Sequence, residues 1–296
     1  MGKSARPITL HKFKDHTFQE VPDWLAVEEP LEIRVEYGPA HSRIIRNLSV
    51  TMRTPGSDED LVAGFLFTEG IIRQPADLVK VHSLDAPPLG VGNIVLATLH
   101  PDLDFEVQKL ERHFYTTSSC GVCGKTSIES LKTAQNCPFP PKNDPWVIDP
   151  EILHTLPESQ RRAQTTFEAT GGIHAAALFS RAGSLLAVRE DVGRHNALDK
   201  LIGHYLREAA IPLDDQILLL SGRASFELLQ KSAMAGLRFV CAVGAPSSLA
   251  VETAEAFGIT LVGFLRDGRF NVYSGLERLN LLDPKHPTIQ PSKHPA

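Results

Sequence analysis

Residues 217–243 read ILLLSGRASFELLQKSAMAGLRFVCAV, in which two apolar runs flank a segment with helical periodicity. The runs 217–220 and 239–243 are short and apolar throughout, as expected of strands that are buried on both faces. The segment between them, 226–235, ends at Gly236, and glycine commonly terminates helices. A strand, a helix and a second strand in this order predict a parallel strand pair with a crossover helix.

The same alternation continues on both sides of this unit. A short strand is expected at 184–188 before a helix at 194–209, and a helix at 249–257 before a strand at 259–265. This pattern predicts an α/β lobe with a mostly parallel C-terminal sheet, covered by helices on both faces.

The amino-terminal part has a different pattern. Residues 32–37 and 48–52 alternate between polar and apolar side chains around a Gly-Pro turn, which predicts a hairpin, and 93–99 is a further strand candidate. Ser57 and Asp60 form a capping-box-like helix start, and Gly70 ends that helix. These elements predict a smaller N-terminal β-containing lobe.

Composition divides the chain into five parts. Prolines cluster between Cys137 and Pro157, which is typical of a connector. The expected parts are an N-terminal extension (1–30), an N-terminal lobe with a cysteine loop (31–136), a Pro-rich connector (137–157), an α/β ligand-binding lobe (158–280) and a flexible tail (281–296).

Charge and hydropathy exclude several classes of protein. The 296 residues are 42% apolar and 22% charged, and the formal net charge is −5, which argues against a general nucleic-acid-binding surface. No apolar run approaches the roughly 20 residues that span a bilayer, and the first thirty residues lack the apolar stretch of a signal peptide. A cytoplasmic location without membrane attachment is therefore expected.

Two of the four cysteines lie three residues apart in Ser119-Cys120-Gly121-Val122-Cys123-Gly124. In a cytosolic protein this spacing indicates thiol, redox or metal chemistry. Small neighbours leave both thiols uncrowded, and Lys125 favours the thiolate through its charge. We expect Cys120 to be the nucleophile, because the first thiol of such pairs is commonly more exposed and acidic, and Cys123 to assist it.

Other interpretations of the cysteines remain open. His113 and Cys137 could complete a structural zinc site with the pair, although a second cysteine pair is missing. A thioredoxin-type redox pair would follow a strand at a helix start, a context that the Ser/Thr/Gly surroundings do not favour. Cys241, inside an apolar run, is expected to be an inert core residue.

Four predicted loops follow the carboxyl ends of the strands in the second lobe, where ligands of α/β sheets bind. Each contains Gly, Arg, Ser or an amide side chain, a set suited to phosphate, so Arg223, Arg266 and Arg269 together favour a phosphorylated ligand. Ser225 and Ser247 are better explained as helix caps. His174 and His195 are open between acid–base chemistry and ordinary structural roles. The loops are 189–196, 221–225, 244–248 and 266–269.

Motifs over most of residues 33–273 resemble the FdhD family, the formate dehydrogenase accessory sulfurtransferases. Besides the cysteine loop, they are Arg46-Asn47-Leu48, Met52-Arg53-Thr54-Pro55-Gly56, Leu61-Val62-Ala63-Gly64-Phe65-Leu66-Phe67-Thr68-Glu69-Gly70, Thr170-Gly171-Gly172-Ile173-His174, Arg189-Glu190-Asp191-Val192-Gly193-Arg194-His195-Asn196, Ser221-Gly222-Arg223 and Gly244-Ala245-Pro246-Ser247-Ser248.

The resemblance implies a sulfur carrier. A cysteine desulfurase would load a persulfide onto Cys120, and the sulfur would pass to the molybdenum cofactor for insertion into formate dehydrogenase. The cofactor would be a bound substrate, Mo-bis(molybdopterin guanine dinucleotide), and no permanent metal is expected. Its contacts would be made by Phe264, Leu265, Arg266, Asp267, Gly268 and Arg269.

The resemblance also implies a cytidine-deaminase-like three-layer fold and a homodimer. Deaminase chemistry does not follow, because His174-Ala175-Ala176 lacks the glutamate of the His-x-Glu signature. Two rival hypotheses remain: a non-catalytic chaperone of the molybdenum cofactor, and a zinc-stabilised binding module.

Overall fold

The computed structural model describes residues 4–85, 91–103 and 146–280. The chain begins with a hairpin of β1 (Ala5–Lys14) and β2 (Thr17–Ala26), which pair antiparallel over their full length. Phe13 and Phe18 lie opposite each other near its turn, and both are largely exposed.

A four-stranded sheet follows, in the order β4-β3-β6-β5. The predicted hairpin is confirmed, since β3 (Glu29–Tyr37) and β4 (Ile44–Arg53) pair antiparallel. β5 (Leu78–Asp85) and β6 (Val91–Leu99) complete the sheet. Between β4 and β5 lies helix α1 (Asp58–Thr68), which starts after Ser57 as predicted, although the Ser57 side chain makes no capping hydrogen bond.

The second sheet has six strands in the order β12-β11-β10-β9-β7-β8. They are β7 (His174–Ser180), β8 (Leu185–Asp191), β9 (Gln216–Leu220), β10 (Phe239–Ala242), β11 (Thr260–Arg266) and β12 (Arg269–Ser274). Its helices are α2 (Pro150–Ala163), α3 (Thr165–Thr170), α4 (Arg194–Arg207), α5 (Phe226–Met234) and α6 (Ser248–Phe257).

The expectation of a mostly parallel sheet needs correction. Parallel pairing is confined to the central strands β9, β10 and β11, which are joined by the crossover helices α5 and α6. The ends are antiparallel, because β7 pairs antiparallel with both β8 and β9, and β12 folds back on β11. The sheet is therefore mixed: hairpins account for the antiparallel pairs β7–β8 and β11–β12, whereas β7 and β9 are connected through β8 and α4.

Helices cover both faces of this sheet. Leu218 and Leu220 point into a large core with α1, α4, α5, α6 and the inner face of the four-stranded sheet. Ile217 and Leu219 point into a second core with α2 and Trp146. This alternation follows from the period of two along a strand. The six-stranded sheet and its helices form three layers, to which the smaller sheet adds another.

The predicted domain boundaries remain a prediction. The larger core takes residues from both predicted lobes, and α2 begins at Pro150, inside the segment expected to be a connector.

Within the described ranges, no helix has the length and apolar character needed to cross a membrane. The likeness to cytidine deaminases and the homodimer also stay predictions.

Candidate functional site at the sheet edge

The predicted loops meet at one edge of the six-stranded sheet, as their positions after β8, β9, β10 and β11 require. We call residues 189–196, 221–225, 244–248 and 266–269 the rim. Backbone hydrogen bonds join adjacent loops: the Gly244 amide donates to the Gly222 carbonyl (2.9 Å), and the Phe264 amide donates to the Gly244 carbonyl (3.1 Å). These bonds form a ladder across the edge and hold the loops 221–225 and 244–248 side by side with the end of β11.

Gly244 lies very close to the neighbouring loop. A Cβ added there would lie 3.1 Å from Cγ of Arg223 and 3.1 Å from its backbone nitrogen. The Arg223 side chain therefore passes over Gly244, and Arg223 as a whole is exposed. This leaves its guanidinium accessible to an anion at the rim.

The fourth loop is a two-residue turn between β11 and β12. Asp267 and Gly268 both have positive φ, 54° and 68°, as a type I′ hairpin turn requires. Arg266 and Arg269 pair across the turn and are exposed. The two guanidinium groups thus belong to one tight structural unit.

Two of the predicted ligand contacts lie at the base of this turn. Phe264 also has a positive φ (54°), a strained conformation for a bulky side chain, and its ring centroid lies 5.9 Å from Cζ of Arg266. Leu265 is fully buried in the second core. Leu265 can therefore offer a ligand only its backbone.

The first loop is held by contacts within the protein. Asp191 is completely buried, and its carboxylate accepts a hydrogen bond from the Thr54 amide (3.1 Å) and lies 2.7 Å from Nζ of Lys200. Lys200 also donates to the Thr54 carbonyl (2.7 Å). A buried charge needs such a partner. The pair thus ties the end of β4 to the rim, a role that the sequence pattern did not reveal.

Other residues of the first loop are also used structurally. The carboxylate of Glu190 accepts the amides of Thr166 and Phe167, which begin α3. Asn196 donates to Asp191 (3.1 Å) and to the Met52 carbonyl (2.8 Å). Arg189 lies 3.6 Å from Asp60. These contacts explain the polar composition of the loop without a ligand.

His195 differs from its neighbours because its Nε2 atom is buried and has no hydrogen-bond partner among the described residues. Among the described residues, the carboxylate that approaches this atom is that of Glu227, whose Oε2 lies 3.9 Å away, and the two side chains are only 20% and 13% exposed. Burial, as the largest cause, and the charges of Lys231 and Arg194 together lower the pKa of His195 to about 3. The ring is therefore neutral at physiological pH.

His174 lies at the rim, at the start of β7. Its partner on β8 is Asp191, and a Cβ added to Gly222 would lie 3.4 Å from its Nδ1. Burial, and then the charge of Arg194, lowers the pKa of His174, while Asp191 opposes the shift. The edge therefore carries two neutral imidazoles, His174 and His195, which we call the histidine pair.

The helix caps near the rim agree only in part with expectation. Ser247 caps α6, because its Oγ accepts the Ala250 amide (3.2 Å). Ser225 stands at the N-cap of α5, but its Oγ is buried and unpartnered within the described part of the chain.

Glu227, in the first turn of the same helix, was not predicted as a site residue. A carboxylate that directly follows a rim loop in the sequence could have indicated it.

The cysteine loop, including Cys120, Cys123 and Cys137, lies outside the described residues. Cys241 has the inert character that was predicted: it is fully buried, and burial raises the pKa of its thiol. Within residues 4–85, 91–103 and 146–280, no group of three His, Cys, Asp or Glu side chains could hold a metal ion.

Comparison of the chain with known proteins shows its family. A family model described as the FdhD/NarQ family matches residues 26–280. The chain belongs to this family. Curated members include the sulfur carrier protein FdhD of Streptomyces coelicolor, which is 46% identical over 284 residues that cover 95% of this chain and 98% of the relative. The protein of that name from Mycobacterium tuberculosis is 48% identical over 269 residues, 87% of this chain and 92% of the relative.

A solved structure shares the fold of this FdhD/NarQ chain. It is a crystal structure from Desulfotalea psychrophila, provisionally described as a formate dehydrogenase accessory protein. The TM-score is 0.69 at 23% identity, and the match covers 93% of this chain and 99% of that one. The mixed α/β architecture with several sheets is therefore found in a solved structure.

Proposed function

We propose that this protein is a cytoplasmic sulfur carrier that receives persulfide sulfur from a cysteine desulfurase and passes it to Mo-bis(molybdopterin guanine dinucleotide). The cofactor then enters formate dehydrogenase. Support comes from the curated relatives named sulfur carrier protein FdhD, at 46% and 48% identity. The cysteine pair Cys120 and Cys123 supplies the thiols that such a role needs.

The observation that carries the proposal is the ladder of backbone bonds between Gly222, Gly244 and Phe264. It sets Arg223 and the Arg266–Arg269 turn on the same edge of the sheet, with the Gly244 loop between them. Guanine dinucleotides bring pyrophosphates, and exposed guanidinium groups bind phosphate oxygens through charge-assisted hydrogen bonds. The rim thus suits a long, multiply charged ligand.

The transfer has two steps. The Cys120 thiolate attacks the outer sulfur of the donor persulfide, so that a new S–S bond forms on Cys120 and the donor leaves as a thiolate. The Cys123 thiolate then attacks the inner sulfur, forms a disulfide with Cys120 and releases hydrosulfide to the molybdenum centre. A cellular dithiol reduces the disulfide and restores both thiols.

Substitution of the nucleophile tests this mechanism. Cys120→Ala should abolish maturation of formate dehydrogenase in cells and the gain of one sulfur on incubation with desulfurase and cysteine. Cys137→Ala is the matched control, because it removes a thiol outside the proposed pair. Full maturation by Cys120→Ala would contradict the catalytic assignment.

The exposed arginines of the rim also suit a second candidate, a chaperone that binds the cofactor and delivers it without chemistry. Mass spectrometry of the purified protein after incubation with desulfurase and cysteine separates the two. One added sulfur on Cys120 supports transfer, and binding of the cofactor without that sulfur supports the chaperone. Stoichiometric zinc in the purified protein would instead favour the zinc-stabilised module.

A further inference from the structure

A cavity lies beside the start of β5, at the opposite end of α4 from the rim. Its volume is about 300 Å³, at the lower end of the range for pockets that hold small ligands. α4 begins at Arg194 in the rim and ends at Arg207 in the lining of the cavity, and a helix of 14 residues is about 20 Å long. The cavity is therefore separate from the rim, and a ligand there would add to the proposed function.

A bulge in β5 shapes one wall of the cavity. Leu78 pairs with Leu99 on β6, and Lys80 pairs with Thr98. Val79 lies between them without a partner on β6. A bulge of this kind redirects side chains from the regular alternation of a strand. Val79 is 58% exposed, and it lines the cavity together with its two neighbours.

The lining combines apolar side chains with two cations. Leu206 is buried, and Leu78 and Val81 pack against the larger core. The charged residues among the described lining are Lys80 and Arg207, and no carboxylate is among them. An apolar pocket with a few placed polar groups is the usual form of a small-ligand site. A ligand with an aliphatic part and a negative charge would match both parts of the lining.

The guanidinium of Arg207 is held in place by acidic residues of α1. One terminal nitrogen donates to Oδ1 of Asp60 (2.6 Å), and the other donates to Oε2 of Glu59 (2.9 Å). A guanidinium has several N–H donors, so these two bonds orient the group without using all of them. Asp60 also lies 3.6 Å from Arg189, so the two carboxylates face two guanidinium groups.

Lys80 adds a positive charge that is not used in this network. It is exposed, and no residue of the described ranges forms an ion pair with it. The cavity therefore favours an anion. A carboxylate suits a guanidinium because the two form charge-assisted hydrogen bonds, and the apolar lining would cover the aliphatic part of the ligand.

The position of β5 favours a polypeptide as the source of the carboxylate. β5 is the last strand in the order β4-β3-β6-β5, so one side of it has no neighbouring strand among the described residues. Extended chains add to such edges through main-chain hydrogen bonds. The C-terminal residue of a chain carries a carboxylate beside a side chain, and a free branched-chain acid has the same two groups.

We propose that the cavity binds an aliphatic carboxylate, either the C-terminal residue of a polypeptide or a free acid. The probes are an acetylated tripeptide that ends in leucine, its C-terminal amide, and isovalerate, each titrated into the full-length protein by calorimetry. The acid form of the peptide should bind at least about tenfold more tightly than the amide, because the amide has no charge.

The titration also identifies the source of the carboxylate. Tighter binding of the acid peptide than of isovalerate supports a polypeptide, and equal binding supports the free acid. Equal affinity for the acid peptide and its amide, or no saturable binding of either acid, would overturn the inference. Displacement of the acid peptide by inorganic phosphate at equal concentration would also overturn it, since that result describes a general anion site.

Variants of the lining separate charge from shape. Lys80→Gln and Arg207→Gln should each weaken binding of the acid peptide roughly tenfold, and Lys12→Gln, on the exposed hairpin strand β1, is the control. Val79→Glu should weaken binding more than Val79→Gln, which has nearly the same size without the charge. Lys80 and Val79 are exposed, so their variants test the site even if Arg207→Gln loosens α1 from α4. Wild-type affinity in both Lys80→Gln and Val79→Glu would show that the carboxylate binds elsewhere.

Discussion

Gly64 on α1 and Gly203 on α4 bring the two helices into backbone contact. A Cβ added at Gly64 would lie 1.9 Å from the Asp199 carbonyl oxygen, and one added at Gly203 would lie 1.9 Å from the Asp60 carbonyl oxygen. Each obstructing atom belongs to a helix backbone, so no side-chain movement could relieve the overlap. The two glycines thus set how closely the N-terminal lobe approaches the helix that leads from the rim.

Alanine at Gly64 or Gly203 should therefore be strongly destabilising. We expect a loss of about 3 kcal/mol or more in the free energy of unfolding, the upper range for overpacked cores. Urea denaturation measures it. Gly172→Ala is the matched control, since a Cβ there meets nothing within 4 Å and no positive φ is involved. Near-wild-type stability of both core variants would contradict the close contact.

Lys231 and Asp199 form a buried ion pair between α5 and α4. Nζ of Lys231 lies 2.9 Å from the Asp199 carboxylate and 2.8 Å from Oγ1 of Thr68. Lys231→Met leaves a buried carboxylate without its cation and should cost about 3–5 kcal/mol. The double variant Lys231→Met/Asp199→Leu should regain most of this stability in chemical denaturation.

The exposed Lys80 provides the comparison for the ion pair, since Lys80→Met changes the same side chain at the surface of β5. It should shift the unfolding midpoint little. If the double variant were less stable than Lys231→Met alone, the pair would not be the source of the penalty.

The histidine pair predicts acid sensitivity. A group whose pKa is lowered on folding binds fewer protons in the folded state, so its stabilising contribution is present above its unfolded pKa and is lost as the pH falls. For His195 the window runs from 6.5 down to about 3, and each pH unit is worth at most about 1.4 kcal/mol. Urea midpoints at pH 7.5, 6 and 5 measure the loss.

The double variant His174→Gln/His195→Gln removes both groups and should lose less stability than the wild type between pH 7.5 and 5. Parallel pH curves for the wild type and the double variant would exclude the histidines as the cause.

The rim arginines predict nucleotide affinity. Arg223→Gln and Arg266→Gln should each raise the dissociation constant of guanosine diphosphate roughly tenfold, since each removes a charge-assisted contact to phosphate. Calorimetric titration measures the constant. Arg162→Gln, on the surface of α2 and paired with Glu158, serves as the control. Equal affinity in all three variants would exclude the rim as the phosphate site.

The pattern along the chain was sufficient for the local elements and for the edge where the loops meet. Residues 217–220 and 239–243 were predicted as strands because they are apolar throughout, and the carboxyl ends of adjacent parallel strands must share an edge. The antiparallel pairs of β7 were not predicted, because pairing depends on contacts between distant segments that periodicity does not contain.

Buried charged residues were the second feature that the sequence did not predict. Lysine side chains commonly face solvent, yet Lys200 and Lys231 pair with Asp191 and Asp199 in the interior. Asp191 and Thr54 are 137 residues apart, so only the folded chain reveals their contact. The same applies to Glu227 and His195, whose proximity follows from the packing of α5 against α4.

Hydrogen exchange at the backbone amides of the ladder can detect a ligand bound at the rim. The amide hydrogens of Gly244 and Phe264 are both held by carbonyls of the rim, so they exchange with deuterated solvent only when adjacent loops separate. A molecule that spans the arginines opposes that separation at both bonds together. Exchange at these two amides therefore reports on a bound nucleotide without a label, even where the ligand touches neither glycine nor phenylalanine.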